Sequence, residues 1–198
     1  MKSQIREPMQ ARSIEKKNRI VDAGYALFEE VGYYNTNTAE IAKRAGVSTG
    51  IVYGYFADKK DILALVADRY MTKVTTPLYD MINTSSLRSL PTLVGEFLDY
   101  AVVSHRQNAK MHEALHSLRA FDNDINDKFI AFEDGVTKAF SAKLLEFNPN
   151  FTSSVEKTHL ALNIIQCYSH EYVFDKHLYI DYDILKKLVV DTVCSLFQ

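Results

Sequence analysis

RIVDAGYALFEEVGYYNTNTAEIAKRAGVSTGIVYGYFADKKDIL, residues 19–63, reads as three short helices and the glycines that separate them. Ile20, Ala23, Leu27 and Val31 recur every three or four residues and predict the buried stripe of a first helix, which Gly32 ends. Asn37 stands three residues before Glu40, a variant of the capping box, so a second helix opens there. Ile41, Ala42 and Ala45 face inward before Gly46 stops it. Val47 plugs the turn, Ser48 is placed to cap a third helix, and Val52 and Phe56 supply its inward contacts. Helices this short do not persist alone, so the second and third must pack on the first. That leaves the third with a free face of small residues. Thr49 and Gly50 lie in its first turn, where a helix lying in the major groove meets base edges. Glycine inside a helix costs about 1 kcal/mol against alanine, so Gly50 and Gly54 point to a close backbone approach rather than to stability.

Working outward, Asp58 restarts the chain as a fourth helix from about Lys59 through Ile62, Val66, Tyr70 and Val74, with Pro77 expected to end or kink it. This helix joins two domains. After a polar loop from Asn83 to Ser89, Pro91 opens a fifth helix carrying Val94, Phe97, Leu98 and Ala101, and Asn108 to Ala120 form a sixth. The seventh is the clearest pattern: Ile125, Phe129, Phe132, Val136, Phe140, Leu144 and Phe147, followed by an Asn148-Pro149-Asn150 turn. The eighth spans about Ser153 to His177 and the ninth about Asp183 to Phe197. The expected fold is all-α with about nine helices: an arm and helix-turn-helix module over 1–58, then a larger helical domain over 59–198. On the ninth helix Ile184, Leu185, Leu188, Val189, Val190, Val193, Cys194, Leu196 and Phe197 cover too wide an arc for one face to bury. Helices eight and nine are therefore expected to seal a homodimer, with Val193 and Leu196 at the seam. Its two-fold axis would set two recognition helices about one DNA turn apart, ~34 Å or slightly more.

Composition agrees with this division. The 198 residues carry a net charge of −2, yet residues 1–60 hold ten Lys/Arg against seven Asp/Glu while 61–198 hold thirteen against eighteen. Lys2, Arg6, Arg12, Lys16, Lys17 and Arg19, opposed by Glu7 and Glu15, form either a phosphate-seeking arm or a solvated tail. No apolar run approaches the roughly 18 residues needed to span a bilayer, and the first residues lack the apolar stretch of a secretory signal. A cytoplasmic protein without membrane contact is expected. Cys167 and Cys194, in an apolar C-terminal third, suit reduced, buried thiols.

The linked pieces L-F-x-x-x-G-Y (27–33), E-I-A-x-x-A-G-V-S (40–48), G-x-x-Y-x-Y-F (50–56) and the following Lys59 resemble the DNA-binding module of the TetR family, over about a quarter of the chain. The resemblance implies a regulator that binds double-stranded operator DNA, is released by a small-molecule effector, acts as a repressor by family default, and carries neither catalytic residues nor cofactor. It places Thr38, Ser48, Tyr53, Tyr55 and Lys59 on the phosphate backbone, beside Thr49 and Gly50 on the bases. Tyr53 and Tyr55 can alternatively serve as module core. Tyr55 departs from the family, where histidine is common; tyrosine keeps a donor but not the option of charge. Effector binding is implied to move the fourth helix and change the spacing of the recognition helices. By the same analogy the effector pocket lies among the middle helices, with Tyr100, Ser104, His105, Phe129 and Phe132 as candidates. Gln166 and His170, with His159 and Asn163 on one stripe of helix eight, suit an effector, a partner helix or solvent.

One signal competes. His112-Glu113-Ala114-Leu115-His116 matches the zinc-protease pattern H-E-x-x-H, and a metal-dependent hydrolase is the rival function. Catalysis needs a third ligand and an open coordination position, and the sequence offers neither. Arg119 falls almost between the two histidines on a helical wheel. The expectation is therefore no metal, with both imidazoles half-exposed on the helix flank beside a buried side of Met111, Ala114, Leu115 and Leu118.

Overall fold

Glycine and asparagine decide where the first helices stop and start. In the computed structural model, which describes residues 11–84, 89–147 and 149–198, α1 (Ala11–Glu30) ends just before Gly32 at φ +91°. Asn37 then opens α2 (Thr38–Ala45) with a complete capping box: its side chain accepts from the Glu40 N–H at 3.0 Å, and the Glu40 carboxylate accepts from the Asn37 N–H at 3.0 Å. Gly46, at φ +65°, closes α2 in the left-handed conformation, and its neighbouring carbonyls are covered by the Arg19 guanidinium. A Cβ at position 46 would come within 2.7 Å of Arg19 Nη2. Ser48 is the N-cap of α3 (Thr49–Tyr55), but through its backbone: its side chain makes no capping bond, and its carbonyl accepts from Ile51 and Val52.

α4 (Lys59–Thr84) begins on Asp58, whose carboxylate accepts from the N–H groups of Lys60 and Asp61. It does not end at Pro77. A proline removes one bond to the carbonyl four residues back, and here Val74 and Ile82 are buried on either side of it, so packing carries the helix through Asn83 to Thr84. α5 (Leu90–Gln107), α6 (Ala109–Arg119), α7 (Asn123–Phe147), α8 (Ser154–Phe174) and α9 (Tyr182–Ser195) follow, close to their expected bounds. Among the described residues the chain is all-α, with nine helices and no strand, and no helix is long and apolar enough to cross a membrane. Lys2, Arg6 and Glu7 of the basic arm, residues 85–88 of the polar loop, Asn148 and the side chain of Phe147 lie outside the described residues.

The helices form two packing units, one running to Thr72 and taking in Asn108–Phe129, the other made of Lys73–Gln107 and Ile130–Gln198. In the first, α1 to α3 pack with the first half of α4, with α6 and with the start of α7 around Ile20, Phe28, Ile41, Val52, Ile62 and Leu115. The buried side of α1 is rotated from the expected one. Phe28 is fully buried, whereas Leu27 is half-buried and Val31 is 44% exposed. The larger aromatic takes the core, and Gly24 lets α4 approach: a Cβ there would meet Ile62 Cγ2 at 2.7 Å.

Asp122 fastens this unit where α7 begins. Its carboxylate accepts from the Ile125 N–H at 3.1 Å and pairs with Lys60. The Lys60 ammonium, and then the Ile125 N–H, hold the Asp122 carboxyl below its ordinary range. A carboxylate depressed on folding contributes stability that is present above its unfolded value, about 4, and lost as pH falls through the folded one. Asp122→Asn is therefore expected to melt at a lower temperature than wild type at neutral pH. The gap should close as melts are repeated down through the carboxylate range; a gap independent of pH would contradict the ion pair's role.

The second unit is built around Phe97, Leu98, Ile165, Tyr168, Val193 and Phe197, with Phe97 and Phe140 edge-to-face at 4.3 Å. The arc expected on α9 divides. Val189, Val193, Cys194 and Phe197 point into the unit's own core, and Val193 is only 1% exposed, so it is not a seam residue; Leu196 is half-buried against that core. Ile184 (60% exposed) and Leu188 (55%) point outward, as does Leu160 of α8. Cys194 is buried, and burial, reinforced by Asp191, raises its thiol above the ordinary value. Cys167, expected buried, is exposed on α8.

Candidate nucleic-acid interface

The second helix supplies the frame. Its capping box employs the N–H groups of Asn37 and Glu40, and the first turn of any helix leaves further donors without an intrahelical acceptor. Thr38, the first residue of α2, sits at this partly positive end. Its hydroxyl lies 3.0 Å from the Tyr53 hydroxyl of α3, so the two form a linked pair on the surface, each with capacity for a second partner. Tyr53 is exposed.

α3 presents two unlike sides. Val52 and the following Phe56 are buried. On the other side Ser48, Gly50, Tyr53 and Gly54 are exposed and Thr49 is half-buried. Among the described residues outside its own helix's backbone, a Cβ at Gly50 would meet only Ser48 Oγ, at 4.0 Å, and one at Gly54 would meet nothing within 4 Å. The protein's own packing thus gives neither glycine a reason to be there.

Tyr55 and Lys59 are turned into the module. The Tyr55 hydroxyl is 2.7 Å from Ser13 Oγ and ties α3 to α1. Lys59 Nζ donates to the carbonyls of Tyr33 and Thr36, both at 2.6 Å, and lies 4.2 Å from the centre of the Tyr33 ring. Burial pushes its ammonium below the ordinary lysine value, partly offset by the Glu40 carboxylate. Sequence reasoning missed Ser13, and it missed Arg19 as the side chain covering the end of α2. Neither partner stands at a helical spacing from the group it serves, so no local signal could have revealed them.

In the second unit four of the effector candidates form two pairs, Tyr100 with Ser104 and His105 with Gln166. Tyr100 donates to the Val74 carbonyl at 2.8 Å; burial raises its phenol, while a hydrogen bond with Ser104 lowers it. His105 is buried, with Nδ1 2.7 Å from the Ala101 carbonyl and Nε2 3.0 Å from Gln166 Nε2. Nδ1 therefore carries the proton and Nε2 accepts from the Gln166 amide, a pairing that ties α5 to α8. His170 lies 3.4 Å from the Asp175 carboxylate and against Phe174, and Phe132 is half-buried. Phe129 belongs to the first unit, where His116 packs edge-on to it and Arg119 lies over its ring. An apolar cavity of ≈ 40 Å³ among Leu93, Phe97, Phe140, Leu144, Leu162 and Phe197 has room for about one water, so anything larger enters only by displacing side chains.

The histidine pair is not disposed as expected. His112 is buried rather than half-exposed, its Nδ1 3.4 Å from the Tyr70 hydroxyl, because α6 packs inward along Met111, His112 and Leu115. His116 is exposed, with ring centroids 4.8 Å apart. Arg119 donates to Asn126. Among the described residues no three His, Cys, Asp or Glu side chains gather where they could hold a metal ion.

The model of the tetR family of bacterial regulatory proteins matches residues 20–66, the segment that carries this interface. The chain is 34% identical over 130 residues to the HTH-type transcriptional regulator HbdR of Aromatoleum sp. (strain CIB), covering 63% of this chain and 52% of that one. It is 33% identical over 93 residues to BetI of Escherichia coli O127:H6, covering 45% and 48%. The chain thus spans about half the length of the curated relatives it matches. Among solved structures, a TetR-family transcriptional regulator from Mesorhizobium loti superimposes with a TM-score of 0.74 at 16% identity, over 94% of this chain and 97% of that one. A transcriptional regulator from Saccharomonospora viridis in complex with choline gives 0.70 at 15%, over 91% and 96%. At these identities the likeness is one of fold alone. Residues 20–66 are therefore similar to the tetR family of bacterial regulatory proteins, and the fold over the described residues is like that of solved TetR-family regulators.

Proposed function

We propose that the chain is a cytoplasmic, non-enzymatic transcriptional regulator that binds operator DNA as a homodimer and is released from it by a small-molecule effector, acting as a repressor. The observation that carries this reading is the outward face of α3, where among the described residues a Cβ at Gly50 would touch only Ser48 Oγ and one at Gly54 nothing, beside the paired hydroxyls of Thr38 and Tyr53. Such a face admits base edges and sugar-phosphate at close range, with Thr49 and Gly50 on the bases and Thr38, Ser48 and Tyr53 on the backbone. Residues 1–58 form the DNA-binding domain and 59–198 the effector and dimerisation domain. Leu160, Ile184 and Leu188 supply the apolar surface that a second copy would cover.

The effector candidates Tyr100, Ser104, His105 and Gln166 already hydrogen-bond within the unit, so a ligand binds by exchanging those bonds for its own. Release from DNA requires it to bind the DNA-incompetent state more tightly. The test is a gel shift of the DNA upstream of the chain's own gene, with unlabelled scrambled duplex as competitor. Specific retention supports operator binding; equal competition by scrambled duplex contradicts it. Native mass spectrometry of the purified protein identifies any co-purifying effector.

A further inference from the structure

Lys59 is built into the protein in a way that a lysine serving only as a surface charge is not. Two of its three donors are taken by main-chain carbonyls, and the Tyr33 ring covers one flank. Both carbonyls belong to the segment that joins α1 to α2. Within it the Thr36 N–H returns to the Tyr33 carbonyl at 3.3 Å, and the buried Thr36 hydroxyl donates to the Gly32 carbonyl at 2.9 Å. Tyr33 is held in turn by an edge-to-face contact with the fully buried Phe28, 5.3 Å between ring centres. The segment is therefore clamped between the core at one end and the first residue of α4 at the other. Asn37 and Thr38, which orient α2 and begin its exposed end, are the next residues along the chain.

We infer that Lys59 is a positioning residue for DNA binding: it fixes segment 33–37, and through it Thr38 and the start of α2, instead of contacting a phosphate itself. The inference rests on operator binding by this face, proposed above. Its consequence is specific. A lysine that neutralises a phosphate contributes to the salt dependence of binding, about one unit of log–log slope per subunit, whereas a lysine that acts through the loop changes affinity and leaves the slope alone. The carbonyls are also the natural partners of a charge that burial has partly desolvated, since they replace the water it has lost.

The experiment uses a duplex selected by the wild-type chain from a randomised pool, with binding measured at several salt concentrations. Lys59→Met keeps most of the aliphatic stem and removes the charge. The expected result is an affinity lower by roughly tenfold or more, a slope equal to that of wild type, and faster amide exchange confined to Asn37 through Ile41 in the free protein. A slope reduced by about one per subunit with those amides unchanged identifies a phosphate contact and overturns the inference. Protection lost evenly across the first unit makes Lys59 a general stabiliser and overturns it too. If the variant does not fold, wild type decides: the Lys59 ammonium protons should exchange slowly in the free chain and remain so on the duplex, and rapid exchange in the free chain contradicts the clamp. A wild-type chain that selects no duplex overturns the operator reading and this inference with it, while slow ammonium exchange would still record the clamp as structural, so the two failures are told apart.

Discussion

Leu188→Glu is expected to turn a dimer at micromolar concentration into a monomer by sedimentation equilibrium, and to weaken operator binding at least about a hundredfold. The inward side of α9 is already filled by Val189, Val193 and Phe197, so the leucine at 188 contributes nothing to its own core. Together with Ile184 one turn earlier and Leu160 on α8 it leaves three large apolar side chains between 49% and 60% exposed. A second copy pairing about a two-fold axis, as proposed, would cover that surface, and a carboxylate placed in the seam would have to be buried unpaired or keep the copies apart. The loss of affinity follows from valency: a monomer engages one half-site and forfeits the effective concentration that the second head gains from being tethered to the first. Val193→Glu makes the contrast. At 1% exposure the new charge lies inside the protomer, so that variant should lose its cooperative thermal transition instead of yielding folded monomers. A wild-type chain that is monomeric at micromolar concentration would remove the interface.

Gly54→Leu should separate folding from function just as sharply. Among the described residues, and apart from its own helix, nothing lies within 4 Å of where a Cβ at 54 would go, so the first carbon of the new side chain meets no obstacle, and leucine is a better helix former than glycine by roughly 0.5–1 kcal/mol. The melting temperature is expected to hold or rise by a few degrees. The same side chain would stand on the face proposed to enter the major groove, and specific binding is expected to fall at least about a hundredfold, with a mismatch at one base pair alone typically costing about 1–3 kcal/mol. A variant that binds the selected duplex as wild type does would show that this face of α3 does not approach DNA.

What could be read in the sequence was whatever is local. Gly32, the Asn37–Glu40 box and Gly46 act over a few residues of backbone, and all three sit where their spacing says they should. The bounds of α5 to α9 follow from periodicity in the same way. Choices settled by packing partners far along the chain were not legible. α1 buries Phe28 and not Val31 because α4 approaches at Gly24; α4 outlasts Pro77 because both flanks are buried; α9 divides its apolar arc because Val193 and Phe197 have core to fill while Ile184 and Leu188 do not. His112 is drawn inside by the same logic on α6. In the candidate site the direction of each side chain was not legible. Tyr53 faces outward beside Thr38, while Tyr55 reaches back to Ser13, 42 residues earlier, and Lys59 reaches back to Tyr33 and Thr36.

The central claim, that two copies of α3 read a two-fold operator, is tested most directly by hydroxyl-radical footprinting of the selected duplex together with the mass of the complex. At least two chains per duplex are expected, with two protected half-sites of inverted sequence on one face of the DNA, about 34 Å or slightly more between centres. A single unsymmetrical footprint, or protection that scrambled duplex removes as readily as the selected one, would contradict it.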